Sequence, residues 1–201
     1  MPTKTKIKTP KPYLSHSQIA LVLRSPRDYV RQYIYGEKGM ASIQQEYGSL
    51  VHDILEGRTK VPKSLKKALQ NVPRYKETDV EIKTTLKRES SEICLLGRLD
   101  GLDFNQGEYK TGVKPWTQKM ANESLQLKLY ALIDYKNTKF IPGQNLTWLE
   151  TTWEDAELKL TGRHETFHVQ HDMKTMLETE VLVWKAHDKI IALMEQEMAK
   201  L

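Results

Sequence analysis

The sequence predicts a mixed α/β domain of the α+β kind, with a central mixed β-sheet flanked by helices. Three observations predict it. Apolar residues recur at helical spacing up to about residue 57, alternating β-branched runs replace them between 79 and 110, and helix, two strands and a long C-terminal helix follow. At 201 residues the chain is long enough for one proper core. The expected division is a flexible basic lead over residues 1–13 and a single domain over 14–201.

The elements follow in chain order. Ser15-His16-Ser17-Gln18 has the spacing of a capping box at a helix start. Ser25-Pro26 restarts the chain, with Ser25 as N-cap, Pro26 in the first helical position and Asp28 in the first turn. Gly36 is a natural stop. Tyr47, Leu50, Val51, Ile54 and Leu55 form one apolar face of a helix over 44–56, ended by Gly57. Residues 62–71 are expected to be a short basic helix carrying Lys63, Lys66 and Lys67.

The period then drops to two. Asp79 to Leu86 alternates, Ile93 to Leu102 is a second apolar run, and Asn105-Gln106-Gly107 turns the chain into Glu108-Tyr109-Lys110. A helix over 122–135, strands over 145–152 and 164–170, and a helix over 172–198 complete the reading.

Composition narrows the function. Apolar content of 39% and charged content of 28% exclude a disordered chain. No run of 18 apolar residues is present, so no spanning helix and no membrane partner are expected. The lone Cys94 excludes an internal disulfide and a four-cysteine cluster, which points to a reducing, cytoplasmic setting. The net charge of +5 favours a polyanionic partner, because neutralising phosphates releases condensed counterions.

The chemistry centres on Asp100, Glu108 and Lys110. Alternate strand residues share a face, so Glu108 and Lys110 point one way and Tyr109 the other. A strand ending near Asp100 beside the strand of Glu108 brings two carboxylates together. Such hard oxygen donors suit Mg²⁺ or Mn²⁺, and a neighbouring lysine can orient the attacking water and offset phosphate charge. Glu-x-Lys alone is commonly a solvated strand face, and Asp100-Gly101 alone a turn.

The ordered company of these residues resembles a known family. Gly97-Arg98-Leu99-Asp100 followed by Gly107-Glu108-Tyr109-Lys110-Thr111-Gly112 resembles the core of the PD-(D/E)XK nuclease superfamily, and more narrowly its RecB-type exonuclease branch. Leu14 to Ile19 with Ser25 to Tyr29 resembles that branch's N-terminal helix pair. Tyr47-Gly48-Ser49-Leu50-Val51-His52 resembles its Gly-x-x-x-His helix, and Gln126 to Tyr130 its Gln-x-x-x-Tyr helix. The likeness spans residues 14–135.

The resemblance implies a restriction-endonuclease-like core with N-terminal helices and a long C-terminal helix. It implies Asp100, Glu108, His52 and the Tyr109 carbonyl as metal ligands, Lys110 as the catalytic lysine, and Gln126 and Tyr130 as residues lining the site. Many relatives carry Cys-Pro where this chain has Ser25-Pro26, and some hold an iron–sulfur cluster there; one cysteine excludes it here. Glu56, one turn after His52, could hold that histidine or be solvated. Glu81 reads as a surface carboxylate.

DNA contacts are expected from Ser15, Lys63 and Lys67, and from Lys114, Trp116 and Lys119, lysines positioning the backbone and tryptophan stacking on a base. The function implied is Mg²⁺- or Mn²⁺-dependent DNA hydrolysis, as an exonuclease on single strands or ends in recombination, repair or replication, in phage or another mobile element, with a recombination or replication protein as a further partner. The alternatives are a structure-specific endonuclease of the same superfamily and a non-catalytic DNA-binding module keeping the fold.

Overall fold

A computed structural model describes residues 11–37, 39–89 and 91–200. Most of the expected basic lead, up to residue 10, lies outside the described residues. Five strands, β1 (Glu77–Arg88), β2 (Ser91–Leu102), β3 (Gln106–Gly112), β4 (Gly143–Glu154) and β5 (Glu157–Gln170), form one sheet in sequence order. All neighbours are antiparallel except β3 and β4, which run parallel. A parallel neighbour needs a crossover, and α4 (Gln118–Glu123) with α5 (Leu125–Thr138) supplies it. The mixed sheet flanked by helices is thus as the sequence predicts.

Helices cover both faces of the sheet. On one, α1 (His16–Arg24), α5 and α6 (Met173–Met198) pack together, with Ile19, Val22, Leu132, Val183 and Ile190 meeting Leu86 and Leu95 of the sheet. On the other, α3 (Ile43–Leu55) buries Val51, Ile54 and Leu55 against Tyr109 and Leu149. Short α2 (Pro26–Tyr29) runs into a π-helical turn at Val30–Ile34, where Tyr35 N–H bonds to Val30 O at 2.9 Å. Gly36 then stops the helix with φ 70°. Among the described residues no helix is long and apolar enough to cross a membrane.

Several local expectations are corrected. Ser15 is the N-cap of α1, but its hydroxyl pairs with Ser17 Oγ at 3.0 Å and caps nothing. Gln18 is buried and donates to Tyr13 O, next to Leu14, which bridges to Leu95 of the sheet. The capping box belongs instead to Ser42 and Gln45 at the start of α3. The expected helix over 62–71 is instead a run of successive turns over 63–71. Their backbone bonds are mostly of the three-residue kind, which suffices to seat Leu69 and Val72 against α3.

The single helix expected over 122–135 is two. Ser124 ends α4 and caps α5 by accepting from Leu127 N–H, so the chain turns where a continuous helix was expected. The last strand starts earlier than expected. Asp155 and Ala156, both at positive φ, close a two-residue hairpin between β4 and β5.

Candidate active site

Strands β2 and β3 pair over only Gly101↔Gly107 and Leu102↔Gln106. Beyond that they diverge, although β2 stays laddered to β1 and β3 to β4. The sheet therefore forks, and Asp100 and Glu108 flank the glycine pair at the fork. Asp100 Oδ2 accepts the Tyr109 N–H at 2.7 Å, so a side chain takes the place of the lost ladder bond.

The fork also interrupts the alternation of faces. A Cβ on Gly97 would lie 2.7 Å from the ring of Tyr130 in α5, whereas one on Gly101 would strike Tyr75, which packs in the α3 layer. Residues of the same parity thus change sides between 97 and 101. At that level Asp79 of β1, opposite Asp100, adopts φ 55°, and the pairing skips from Thr78↔Gly101 to Val80↔Leu99.

Helix α3 brings in His52 and Glu56, one turn apart and hence on one face. Gly48 lets the helix approach β3, since a Cβ there would sit 3.0 Å from Thr111 Oγ1. His52 Nδ1 lies 3.3 Å from Asp100 Oδ1, and the ring stands edge-on to Tyr109. Ligand atoms of His52, Glu56 and Asp100 all fall within 4.8 Å of one another. Burial works to lower the His52 pKa, but the Asp100 hydrogen bond and the fields of Asp100 and Glu108 leave it raised. Glu56 is almost enclosed and ion-paired to Arg58; burial, then Asp100, raises its pKa.

Glu108 is 1% exposed, and its surroundings are unequal at its two oxygens. Oε1 accepts from Lys110 Nζ at 2.5 Å and from Gln126 Nε2 at 2.7 Å. Oε2 is buried with no hydrogen-bond partner among the described residues. Burial raises the Glu108 pKa well above the carboxylate range, and Lys110 pulls it part of the way back. The network continues outward. Lys110 Nζ donates to Gln126 Oε1 at 2.8 Å, Gln126 Nε2 to the Tyr130 hydroxyl at 2.7 Å, and that hydroxyl to Arg98 O at 2.7 Å.

The residues fit a divalent ion. An imidazole and two carboxylates share one small volume, and Glu108 adds a desolvated oxygen that lacks a donor. Leaving such an oxygen unpartnered is costly, and a cation satisfies it. A donor set rich in oxygen suits Mg²⁺ or Mn²⁺.

His52, Glu56, Asp100, Lys110, Gln126 and Tyr130 line a cavity of about 1070 Å³, together with Ser15, His16, Arg58 and Arg98, while Glu108 is buried out of it and bonds to Lys110 and Gln126. Of the expected site residues, His52, Asp100, Glu108, Lys110, Gln126 and Tyr130 are thus brought together, and Ser15 shares the cavity wall. Lys63 and Lys67 line a separate groove with Lys66 and Arg74. Lys114 and Lys119 are exposed after β3, and Lys119 reaches toward Glu123 at 3.9 Å. Trp116, expected to be an exposed stacking residue, is half-buried against the cluster around Leu127 and Trp148. Glu81 pairs with Arg98 at the surface.

His16 is a cavity residue that the sequence reading passed over. Burial, then Lys110, lowers its pKa to about 4, so the ring is neutral at neutral pH. Its signal was its place inside the Ser15-His16-Ser17 helix start. Arg98 entered the sequence reading only as part of the Gly97-to-Asp100 run and Arg58 not at all; the fold places both in the cavity wall.

The family model of the PD-(D/E)XK nuclease superfamily matches residues 13–88, which hold the N-terminal helices and β1 but not Asp100, Glu108 or Lys110. No curated protein matches the chain in sequence. Among solved structures, a protein from Eubacterium rectale to which exonuclease activity is ascribed is similar with a TM-score of 0.62 at 11% identity, over 92% of this chain and 82% of that one. LHK-Exo in complex with dAMP is similar with a TM-score of 0.53 at 13% identity, over 94% of each chain. LHK-Exo is an alkaline exonuclease from Laribacter hongkongensis, and a second structure of it matches with a TM-score of 0.51. The chain resembles the PD-(D/E)XK nuclease superfamily in sequence over residues 13–88 and shares its overall fold with these exonuclease structures.

Proposed function

We propose that the chain is a deoxyribonuclease that hydrolyses phosphodiester bonds with Mg²⁺ or Mn²⁺, as an exonuclease on single strands or DNA ends. The observation that carries this is the gathering of His52, Asp100, Glu108 and Lys110 at one fork of the sheet, with a desolvated Glu108 oxygen left without a donor. The likeness to exonucleases, one of them binding dAMP, supports DNA as substrate.

His52, Glu56, Asp100, Glu108 and the Tyr109 carbonyl would hold the ion. When bound, it supplies Lewis-acid polarisation of the phosphate and a bound water of lowered pKa. Lys110, fixed between Glu108 and Gln126, holds its ammonium where it can orient the attacking water and offset charge on the phosphate. Tyr130 fixes Gln126, so the lysine is held by a satisfied network and not by a mobile chain. Ser15 offers a hydroxyl to the DNA backbone inside the cavity. Lys114 and Lys119, exposed after β3, and Lys63 and Lys67, in their own groove, would add backbone contacts outside the cavity. Residues 14–201 act as one domain, in a cytoplasmic setting, beside recombination or replication proteins.

The test is incubation of purified protein with end-labelled linear DNA and with circular DNA, in Mg²⁺, Mn²⁺ or EDTA. Release of mononucleotides or short products from linear DNA alone is expected, abolished by EDTA. Internal cutting of circles would replace the exonuclease reading with an endonuclease one. Cleavage unaffected by EDTA would remove the metal reading.

A further inference from the structure

The segment Pro73–Lys76 carries no motif, yet it touches every element that supplies a candidate ligand. Arg74 Nη1 donates to Ile54 O at 3.1 Å and Leu55 O at 2.9 Å, the last turn of α3, just before Glu56. The Tyr109 hydroxyl of β3 donates to Pro73 O at 2.6 Å. Lys76 N–H donates to Asp103 Oδ1 at 2.7 Å, at the turn between β2 and β3.

Tyr75 lies between these three anchors. A Cβ on Gly101 would come within 1.9–2.5 Å of Tyr75 Cδ2, Cγ and Cβ, and one on Gly107 within 2.1–2.6 Å of Cζ, Cε2 and Cε1. The ring therefore spans the glycine pair, its near end over β2 and its far end over β3. That pair is one of only two that join these strands, and it is the last before they separate at Asp100 and Glu108. Only two glycines leave room for an aromatic ring so close to both backbones.

We propose that Tyr75 is a positioning residue: its ring pins the fork, and with Arg74 it fixes the distance between the carboxylates of β2 and β3 and the ligands of α3. This rests on the metal reading proposed above. The hydroxyl of Tyr75 is buried beside Thr147, and it is the ring that spans the two backbones, so the ring is the working part. Without it, β2 and β3 are joined at the fork by two residue pairs and the Asp100–Tyr109 bond, with no packing across them to hold that bond in place.

The experiment compares wild type, Tyr75→Phe and Tyr75→Ala, with Tyr75→Leu replacing the alanine variant if that fails to fold by circular dichroism. Mn²⁺ affinity is measured by calorimetry, and amide exchange of Tyr109, whose N–H reaches Asp100, is measured by NMR without metal. Tyr75→Ala is expected to weaken Mn²⁺ binding by roughly tenfold or more, in the range seen for residues that orient metal ligands. It should also lose protection at Tyr109 while Leu132 in α5 keeps its own. Tyr75→Phe should restore both. Wild-type protection at Tyr109 in Tyr75→Ala, or loss in Tyr75→Phe equal to that in Tyr75→Ala, overturns the proposal. If wild type binds no Mn²⁺, the metal reading falls, and amide exchange alone decides the role of Tyr75.

Discussion

Lys110 and Gln126 donate to the same oxygen of Glu108, Oε1, and leave Oε2 buried without a partner among the described residues. The lysine is thereby fixed while half of the carboxylate stays available. Lys110→Ala and Glu108→Gln should each lower the cleavage rate by roughly 10²–10³ or more, the scale of losing one well-placed charged group. Gln126→Ala should cost less, about 10–100-fold, since it orients the others. Single-turnover rates on end-labelled DNA, with folding checked by circular dichroism, measure all three. Equal rates in Gln126→Ala and wild type would remove the orienting role.

Ligand atoms of His52, Glu56 and Asp100 lie within 4.8 Å of one another, so a divalent ion bound there should stabilise the native state. At a concentration about 100 times its Kd, Mn²⁺ should add about 2.7 kcal/mol. Thermal unfolding with Mn²⁺ and with EDTA reads the effect. Glu56→Gln should shrink the shift, whereas a full shift in that variant would leave Glu56 outside the ligand set.

His16 gives a pH dependence to the metal-free protein. Its pKa falls from 6.5 to about 4, chiefly through burial, so the unfolded chain takes up this proton first. The stability it contributes is present above about pH 6.5 and is lost as the pH falls toward 4. In EDTA, the drop in Tm between pH 7 and pH 4.5 should be smaller in His16→Gln than in wild type. An unchanged drop would mean the ring is freely solvated.

Gly97 tests the close packing of Tyr130. A Cβ there meets the tyrosine ring at 2.7 Å, and Ile82 at 3.1 Å stands on the other side. Gly97→Ala should cost about 1–3 kcal/mol by overpacking. It should also slow cleavage, because displacing Tyr130 disturbs Gln126. Urea unfolding and the single-turnover rate report the two effects separately.

Asp172 caps the long C-terminal helix, accepting from Thr175 N–H at 2.8 Å and Thr175 Oγ1 at 2.6 Å. Asp172→Ala should destabilise the protein by about 1 kcal/mol, which for a domain of this size lowers Tm by roughly 2–4 °C. The cleavage rate should not change, and differential scanning calorimetry measures the loss.

Strand and helix order was legible because the period of apolar residues is a local property, as in Asp79 to Leu86 and in Val51, Ile54 and Leu55. Local chemistry misled where two starts competed. Ser15 and Gln18 have capping-box spacing, but Gln18 is buried and bonded to Tyr13 O instead, while Ser42 and Gln45 make the box. The turns over 62–71 show the same thing, since seating Leu69 and Val72 in the core decides the backbone more than helix propensity does.

By itself the sequence determined the class of fold, the strand that sets Glu108 and Lys110 on one side, and the helix that sets Gln126 one turn from Tyr130. These follow from spacing along a chain of known pitch. Only the tertiary structure decided that β2 and β3 part after two residue pairs, that Asp100 meets the His52–Glu56 turn, and that Tyr75 lies across Gly101 and Gly107. Those relations join residues far apart in the chain, and they arise from burial, ring packing and desolvated charge, none of which has a period to read.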